Sequence, residues 1–229
     1  MSNFSSPETG YKSEGITEIE KKEITTNPDF SADIRMKLNY HPVYGNTVIT
    51  EVRTIHISSP FSDGSYYIDE DHLFNSLTDS LVLDRTPVVG EPGGQSWGGY
   101  AGLSIRYNQD LTSPYKLAPT DSTNCRKCKW FYMGFNSLTG EKAGISILQH
   151  PQYTTSTSSW YVIEDQKIPF YYYSPAVLFD GKIILNKSEE LLLKYRVWIL
   201  PGSIGREGIQ AKYDEYLNNT YPLNQKPIK

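Results

Sequence analysis

The chain has 229 residues, among them 18 Tyr, 17 Gly and 14 Pro, and a formal net charge of -4. That length supports one all-β domain, or two small ones, with a core that needs no disulfides, and the abundance of aromatic and hydroxyl side chains favours pleated surfaces over helices. The charge, with no basic stripe, gives no electrostatic ground for a nucleic-acid partner; no apolar run is long enough to span a bilayer, and the polar first thirty residues do not read as a signal peptide.

In chain order, residues 1–14 are rich in Ser, Glu and Pro and read as a disordered segment. Residues 15–218 read as a single β-sandwich domain, and 219–229 as a tail. The imperfect alternation over 15–26 fits an edge strand protected by Lys and Glu. Residues 30–40 and 47–57 form a predicted hairpin around His41-Pro42-Val43-Tyr44-Gly45-Asn46. On its second strand Ile49, Glu51, Arg53, Ile55 and Ile57 share one face, where two charges among isoleucines do not stand unpaired. They are either a structural ion pair or the polar groups of a pocket. A strand over 65–71 follows, in which Asp69-Glu70-Asp71-His72 reads as a solvated acidic loop lacking EF-hand spacing. After a short strand at 81–85, Gly90-Glu91-Pro92-Gly93-Gly94 is a loop with no helix behind it, so its glycines form no phosphate cradle.

The stretch Ser96-Trp97-Gly98-Gly99-Tyr100-Ala101-Gly102-Leu103-Ser104-Ile105-Arg106 sets three glycines beside two large aromatics and ends on an arginine. Read as a strand, it puts Tyr100, Gly102, Ser104 and Arg106 on one face and Gly99, Ala101, Leu103 and Ile105 on the other. Either Arg106 pairs with a carboxylate at a sheet edge, or this strand floors a binding cleft. Residues 108–124 read as a long surface loop. Cys125 and Cys128 make one Cys-x-x-Cys without the second pair that zinc needs, which leaves a loop disulfide or two idle thiols. No metal or cofactor is expected.

Further on, 129–135 is an aromatic strand and 143–149 an apolar one buried on both sides, running into His150-Pro151. A histidine at a strand end beside a polar loop suits an acid or base, and equally a cap on a carbonyl. Four aromatics at 170–173 require two-sided burial or form a stacking platform. A hairpin is predicted over 177–185, turning at Asp180-Gly181, then a long strand over 190–200. The one convincing helix is 208–218, with Ile209, Tyr213, Tyr216 and Leu217 at helical spacing.

Taken together, Glu51-Val52-Arg53, the run Trp97 to Arg106, Gly144-Ile145-Ser146-Ile147-Leu148-Gln149-His150-Pro151, Trp160-Tyr161, Ser174-Pro175-Ala176 and Leu193-Lys194-Tyr195-Arg196-Val197 resemble the bacterial methane oxygenase PmoA-like family over residues 15–216. Methane oxidation does not follow from that label, because particulate methane monooxygenase is a membrane protein and this chain has no spanning run. The resemblance implies instead a periplasmic or secreted β protein associated with polysaccharide degradation, on a large sandwich similar to that of galactose mutarotase-like proteins. Family members begin with an additional half bearing a His-His motif, absent from residues 1–50 apart from His41-Pro42. The chain is therefore expected to be a fragment or a shortened member.

What this implies chemically is a protein that processes a sugar or oxidised sugar as a lyase, hydrolase or epimerase. Glu51 and His150 would supply acid and base, Arg53 and Arg106 would hold a carboxylate or developing oxyanion, and Trp97, Trp160 or Tyr161 would stack on the ring. One alternative is a non-catalytic carbohydrate-binding module using the same aromatics. Another is a structural domain in which Glu51, Arg53 and Arg106 form an internal ion-pair network. The expected partner is a carbohydrate, with neither nucleic acid nor membrane, and the oligomeric state stays open.

Overall fold

In the computed structural model, which describes residues 3–5, 12–107, 112–119, 127–151, 158–165 and 170–218, alternating apolar and polar side chains build an all-β, sandwich-like fold with one helix. The strands are β1 (Asn3–Ser5), β2 (Lys12–Thr26), β3 (Ala32–Pro42), β4 (Ile49–Ile57), β5 (Tyr66–Ser76), β6 (Leu81–Leu83), β7 (Ile105–Arg106), β8 (Thr112–Leu117), β9 (Trp130–Asn136), β10 (Lys142–Gln149), β11 (Ser159–Asp165), β12 (Phe170–Ala176), β13 (Ile183–Leu185) and β14 (Glu190–Pro201), and the helix is α1 (Arg206–Asn218). The main sheet has the order β1-β2-β3-β4-β5-β14-β10-β9-β8, a second has the order β11-β12-β7, and β13 pairs with β6. The named pairings are antiparallel.

Two layers of core follow from the two faces of the main sheet. On one face Phe131, Met133, Ile147, Leu193, Tyr195 and Val197 pack against Tyr107, Trp160, Tyr171 and Tyr173 of the small sheet. Burying the tyrosine hydroxyls there is tolerable because they find backbone acceptors: Tyr173 donates to the Ile145 carbonyl at 2.9 Å and Tyr107 to that of Met133 at 3.2 Å. On the opposite face Trp130, Tyr132, Leu148, Trp198 and Leu200 meet Ile209, Tyr213 and Tyr216 of α1. The helix therefore closes the far side of the sheet, as its apolar spacing predicts.

Five expectations change. The first fourteen residues, expected to be disordered, contain β1 and the start of β2; the rest of them, and the expected tail 219–229, lie outside the described residues. The loop expected at 108–124 contains β8. The acidic run Asp69-Glu70-Asp71-His72 is the middle of a sheet strand and no solvated loop. Strand β14 makes this possible by setting a cation opposite two of the three acids, Arg196 facing Asp69 and Lys194 facing Asp71, while Glu70 lies 3.2 Å from His72 of its own strand. The predicted hairpin at 177–185 does not form either, since β13 pairs with β6.

The glycine-rich stretch departs furthest, being strand only at β7. Gly99 has φ +100°, a region that suits glycine. A Cβ on Gly98 would stand 2.0 Å from the Pro87 carbonyl oxygen, so backbone meets backbone here. The amides of Gly98 and Gly99 donate to the carbonyls of Gln95 and Thr86, turning the segment back on itself as a folded loop.

Candidate functional site

Two constellations collect most of the sequence-predicted residues, and they lie on different sheets. The first is centred on Glu51, whose side chain is fully buried on β4. Arg53 grips it with two parallel bonds, Nε to Oε1 at 2.7 Å and Nη2 to Oε2 at 2.9 Å. The Tyr40 hydroxyl donates to Oε2, and His72 Nδ1 lies 2.9 Å from Oε1. The other ring nitrogen of His72 lies 3.2 Å from Glu70 Oε2. Phe74 stacks on the imidazole and Tyr195 meets it edge-on. Strand register explains the assembly, since Arg53 is directly opposite His72 and Ile55 opposite Glu70.

The electrostatics describe a saturated carboxylate. Burial alone would raise the Glu51 pKa, yet hydrogen bonds from His72, Arg53 and Tyr40 outweigh it and hold the group down at about 2. Such a group stays ionised at neutral pH and is a poor proton acceptor. Burial lowers the His72 pKa, but the bonds to Glu51 and Glu70 reverse the sign and raise it above the ordinary 6.5.

His150 does not join this cluster. Gln149 lies in register with Tyr195, on the Glu51 side of the sheet, whereas His150 is edge-on to Tyr216 of the helix, with ring centroids 5.4 Å apart. The expected acid–base couple of Glu51 and His150 is therefore divided by the sheet. Burial, together with the positive charge of Lys194, pushes the His150 pKa down to about 4, leaving it neutral at physiological pH.

The two histidines predict opposite pH effects. A raised native pKa stabilises the fold fully below 6.5, and that stabilisation fades as pH rises through the native value. His72, facing Glu51 and Arg53 of β4, Tyr40 of β3, Glu70 of its own strand and Tyr195 of β14, should thus cost stability above pH 6.5. His150, whose native pKa is depressed, costs stability as pH falls from 6.5 towards 4. Melting temperature plotted against pH should peak near 6.5, and His72→Gln should flatten the alkaline limb while sparing the acid one. An unchanged alkaline limb in that variant would refute the assignment.

The second constellation is aromatic. On the outward face of the small sheet Ile163 is opposite Tyr172, and Tyr161 opposite Ser174. The glycine-rich loop folds Trp97 and Tyr100 over this face. Together Trp97, Tyr100, Tyr161, Ile163 and Tyr172 line a recess of about 240 Å³ with an almost wholly apolar wall. Trp97 and Tyr100 remain 51% and 45% exposed, a large apolar surface left open to solvent. Their loop is nonetheless pinned: Arg85 takes Glu91 with two bonds of 2.7 and 2.9 Å and donates to the Phe179 carbonyl. Phe179 in turn packs on Gly99 and beside Tyr161. The Tyr172 hydroxyl is 2.6 Å from Ser104 Oγ.

Trp97 and Tyr161 are thus brought together, and Arg106 stands on the same face, in register with Tyr172. Trp160 does not join them. Adjacent residues on a strand point to opposite faces, so Trp160 turns inward, stacks on Phe131 and donates to the Cys128 carbonyl at 2.9 Å. Glu51 and Arg53 belong to the other constellation. Sequence reasoning missed Tyr40, Glu70 and His72 beside Glu51, and Tyr100 and Tyr172 beside Trp97. The alternation of Glu70, His72 and Phe74 was a usable signal for the first group. Cys128 is buried and disulfide-bonded, which removes a thiolate from any metal-binding reading; Cys125 lies outside the described residues.

Among the described residues, no helix is long and apolar enough to cross a membrane. A family model described as a family of unknown function, DUF6807, matches residues 3–214. No curated protein and no solved structure matches the chain.

Proposed function

We infer that this chain, which belongs to the family of unknown function DUF6807, is a carbohydrate-binding module that takes a sugar ring in the aromatic recess. The observation that carries this reading is a set of half-exposed rings, Trp97 and Tyr100 over Tyr161 and Tyr172, fixed in place by the Arg85–Glu91 ion pair. A sugar ring has apolar C–H faces that aromatic side chains cover, while its hydroxyls need directed polar partners. At about 240 Å³ the recess is smaller than the roughly 300–1,000 Å³ that encloses a drug-sized ligand, and suits one ring of a longer glycan. A binding role is favoured over catalysis because Glu51 is saturated by its partners and His150 is on the other face. The disulfide at Cys128 supports the periplasmic or secreted setting that the PmoA-like resemblance implies.

The test is calorimetric titration with a panel of oligosaccharides, comparing wild type with Trp97→Ala. Removing a ring that covers a ligand face typically weakens binding by about tenfold or more. Because Trp97 is half exposed, its melting temperature should stay near the wild-type value. A folded wild type that binds no member of the panel, or a variant that binds as well as wild type, would defeat the reading.

A further inference from the structure

We propose that the recess takes the terminal ring of a glycan ending in a 6-deoxyhexose, a sugar of the fucose or rhamnose class, with the methyl group of that ring seated on Ile163. This rests on the carbohydrate reading above and adds to it the chemical class of the ring. The aromatic side chains of the recess do not share a plane. Tyr100 is inclined at 35° to Trp97 and at 50° to Tyr161, and Tyr172 meets Tyr161 edge-on at 76°. Their centroids are 5.9–6.4 Å apart, so the rings are contiguous. They form a cup and not a flat platform. Tyr161, Ile163 and Tyr172 of the small sheet are its floor, and Trp97 and Tyr100 of the loop fold over them. Ile163 is aliphatic among four aromatic rings.

Shape decides which sugars fit. A flat platform covers one face of a pyranose and leaves every hydroxyl on its perimeter in water. A cup encloses part of that perimeter, and a hydroxyl that enters must find a partner or be desolvated without one, which is costly. This wall offers almost none. It is nearly wholly apolar, and the Tyr172 hydroxyl is already engaged, 2.6 Å from Ser104 Oγ. The five lining side chains carry no charge, so neither an acidic nor an amino sugar finds a counter-ion among them. The ring that fits has an apolar edge. In a 6-deoxyhexose the exocyclic hydroxymethyl group is replaced by a methyl, which enters the cup and buries apolar surface against Ile163 and the rings around it. The remaining hydroxyls stay at the mouth, where Trp97 and Tyr100 are half exposed. A recess of about 240 Å³ suits one such ring, with its glycosidic bond directed outward to the rest of the glycan.

The experiment titrates the full chain with two matched pairs of glycosides: methyl α-L-fucoside against methyl α-L-galactoside, and methyl α-L-rhamnoside against methyl α-L-mannoside. Within each pair the sugars differ only by the hydroxyl on C6. Affinity is read by calorimetry, and tryptophan emission is followed in parallel. Trp97 is half exposed while the other three tryptophans, Trp130, Trp160 and Trp198, are buried, so a change in emission reports the recess. In at least one pair the deoxy sugar should bind about tenfold tighter or more, the typical cost of burying a hydroxyl without a partner, and should shift the emission. Ile163→Ser, checked by thermal melting, should bring that pair towards parity. Equal affinities within both pairs, a preference for the hydroxylated partners, binding that leaves the emission unmoved, or a folded Ile163→Ser that keeps the full preference overturns the 6-deoxyhexose assignment. Silence of all four glycosides while a member of the oligosaccharide panel binds overturns it too and leaves the carbohydrate reading standing. Silence of the glycosides and the whole panel removes the carbohydrate reading itself.

Discussion

Glu51→Ala is expected to lower the melting temperature by about 6–12 °C, since unpairing a buried ion network costs about 3 kcal/mol and each kcal/mol moves a domain of this size by about 2–4 °C. The reasoning is local. Glu51 is fully buried and is the shared acceptor of Arg53, His72 and the Tyr40 hydroxyl. Deleting it leaves a guanidinium, an imidazole and a phenol turned towards a void. Arg53 keeps 28% of its side chain in solvent, which places the loss at the lower end of the range for buried pairs. Glutamine does not restore the site, because its amide nitrogen would confront one of the donors. The double variant Glu51→Met with Arg53→Met should recover part of the loss, as apolar side chains of similar length need no partner. Sugar binding measured below the transition should be unaffected, because the recess is on the outward face of the other sheet. Loss of binding in a well-folded Glu51→Ala would instead join the two constellations and revive a catalytic role.

The fold class was legible in the chain because strand periodicity and turn residues act locally. The β3–β4 hairpin, the doubly buried β10 and the helix α1 each lie within a few residues of their predicted bounds. The errors fall where tertiary partners override local chemistry. Three acidic residues in succession are unfavourable in an isolated strand; here Arg196 and Lys194 across β14 pair with Asp69 and Asp71, and a distant tertiary register supplies both. The glycine stretch reads as a strand by alternation, yet it turns because Pro87, Thr86 and Phe179, all distant from its centre in local pattern, close on its backbone. The same limit applies to the candidate residues. Glu51 with Arg53 was visible as a pair, since both lie on one strand face. That His150 faces the helix, away from Glu51, depends on the phase of β10 against β14, which no local signal fixes.

The largest effect on the other side of the sheet is expected from Asp69→Ala, at about 3–5 kcal/mol. Arg196 is 1% exposed and grips Asp69 with bonds of 2.6 and 2.7 Å. Its guanidinium lies 3.8 Å from the centre of the Tyr67 ring and 4.7 Å from that of Tyr216, so one charge is clamped between the sheet and α1. Without Asp69 that charge is buried with no carboxylate against it. Arg196→Met should cost clearly less: Asp69 retains 19% exposure and can hydrate, while the methionine keeps apolar contact with both rings. Amide exchange across 206–218 reports the consequence directly. Asp69→Ala should accelerate it, because the seat of Tyr216 is disturbed, while Glu51→Ala should lower global stability without singling out the helix. Equal losses from Asp69→Ala and Arg196→Met would show that packing of the arginine stem, and not its charge, holds α1 to the sheet.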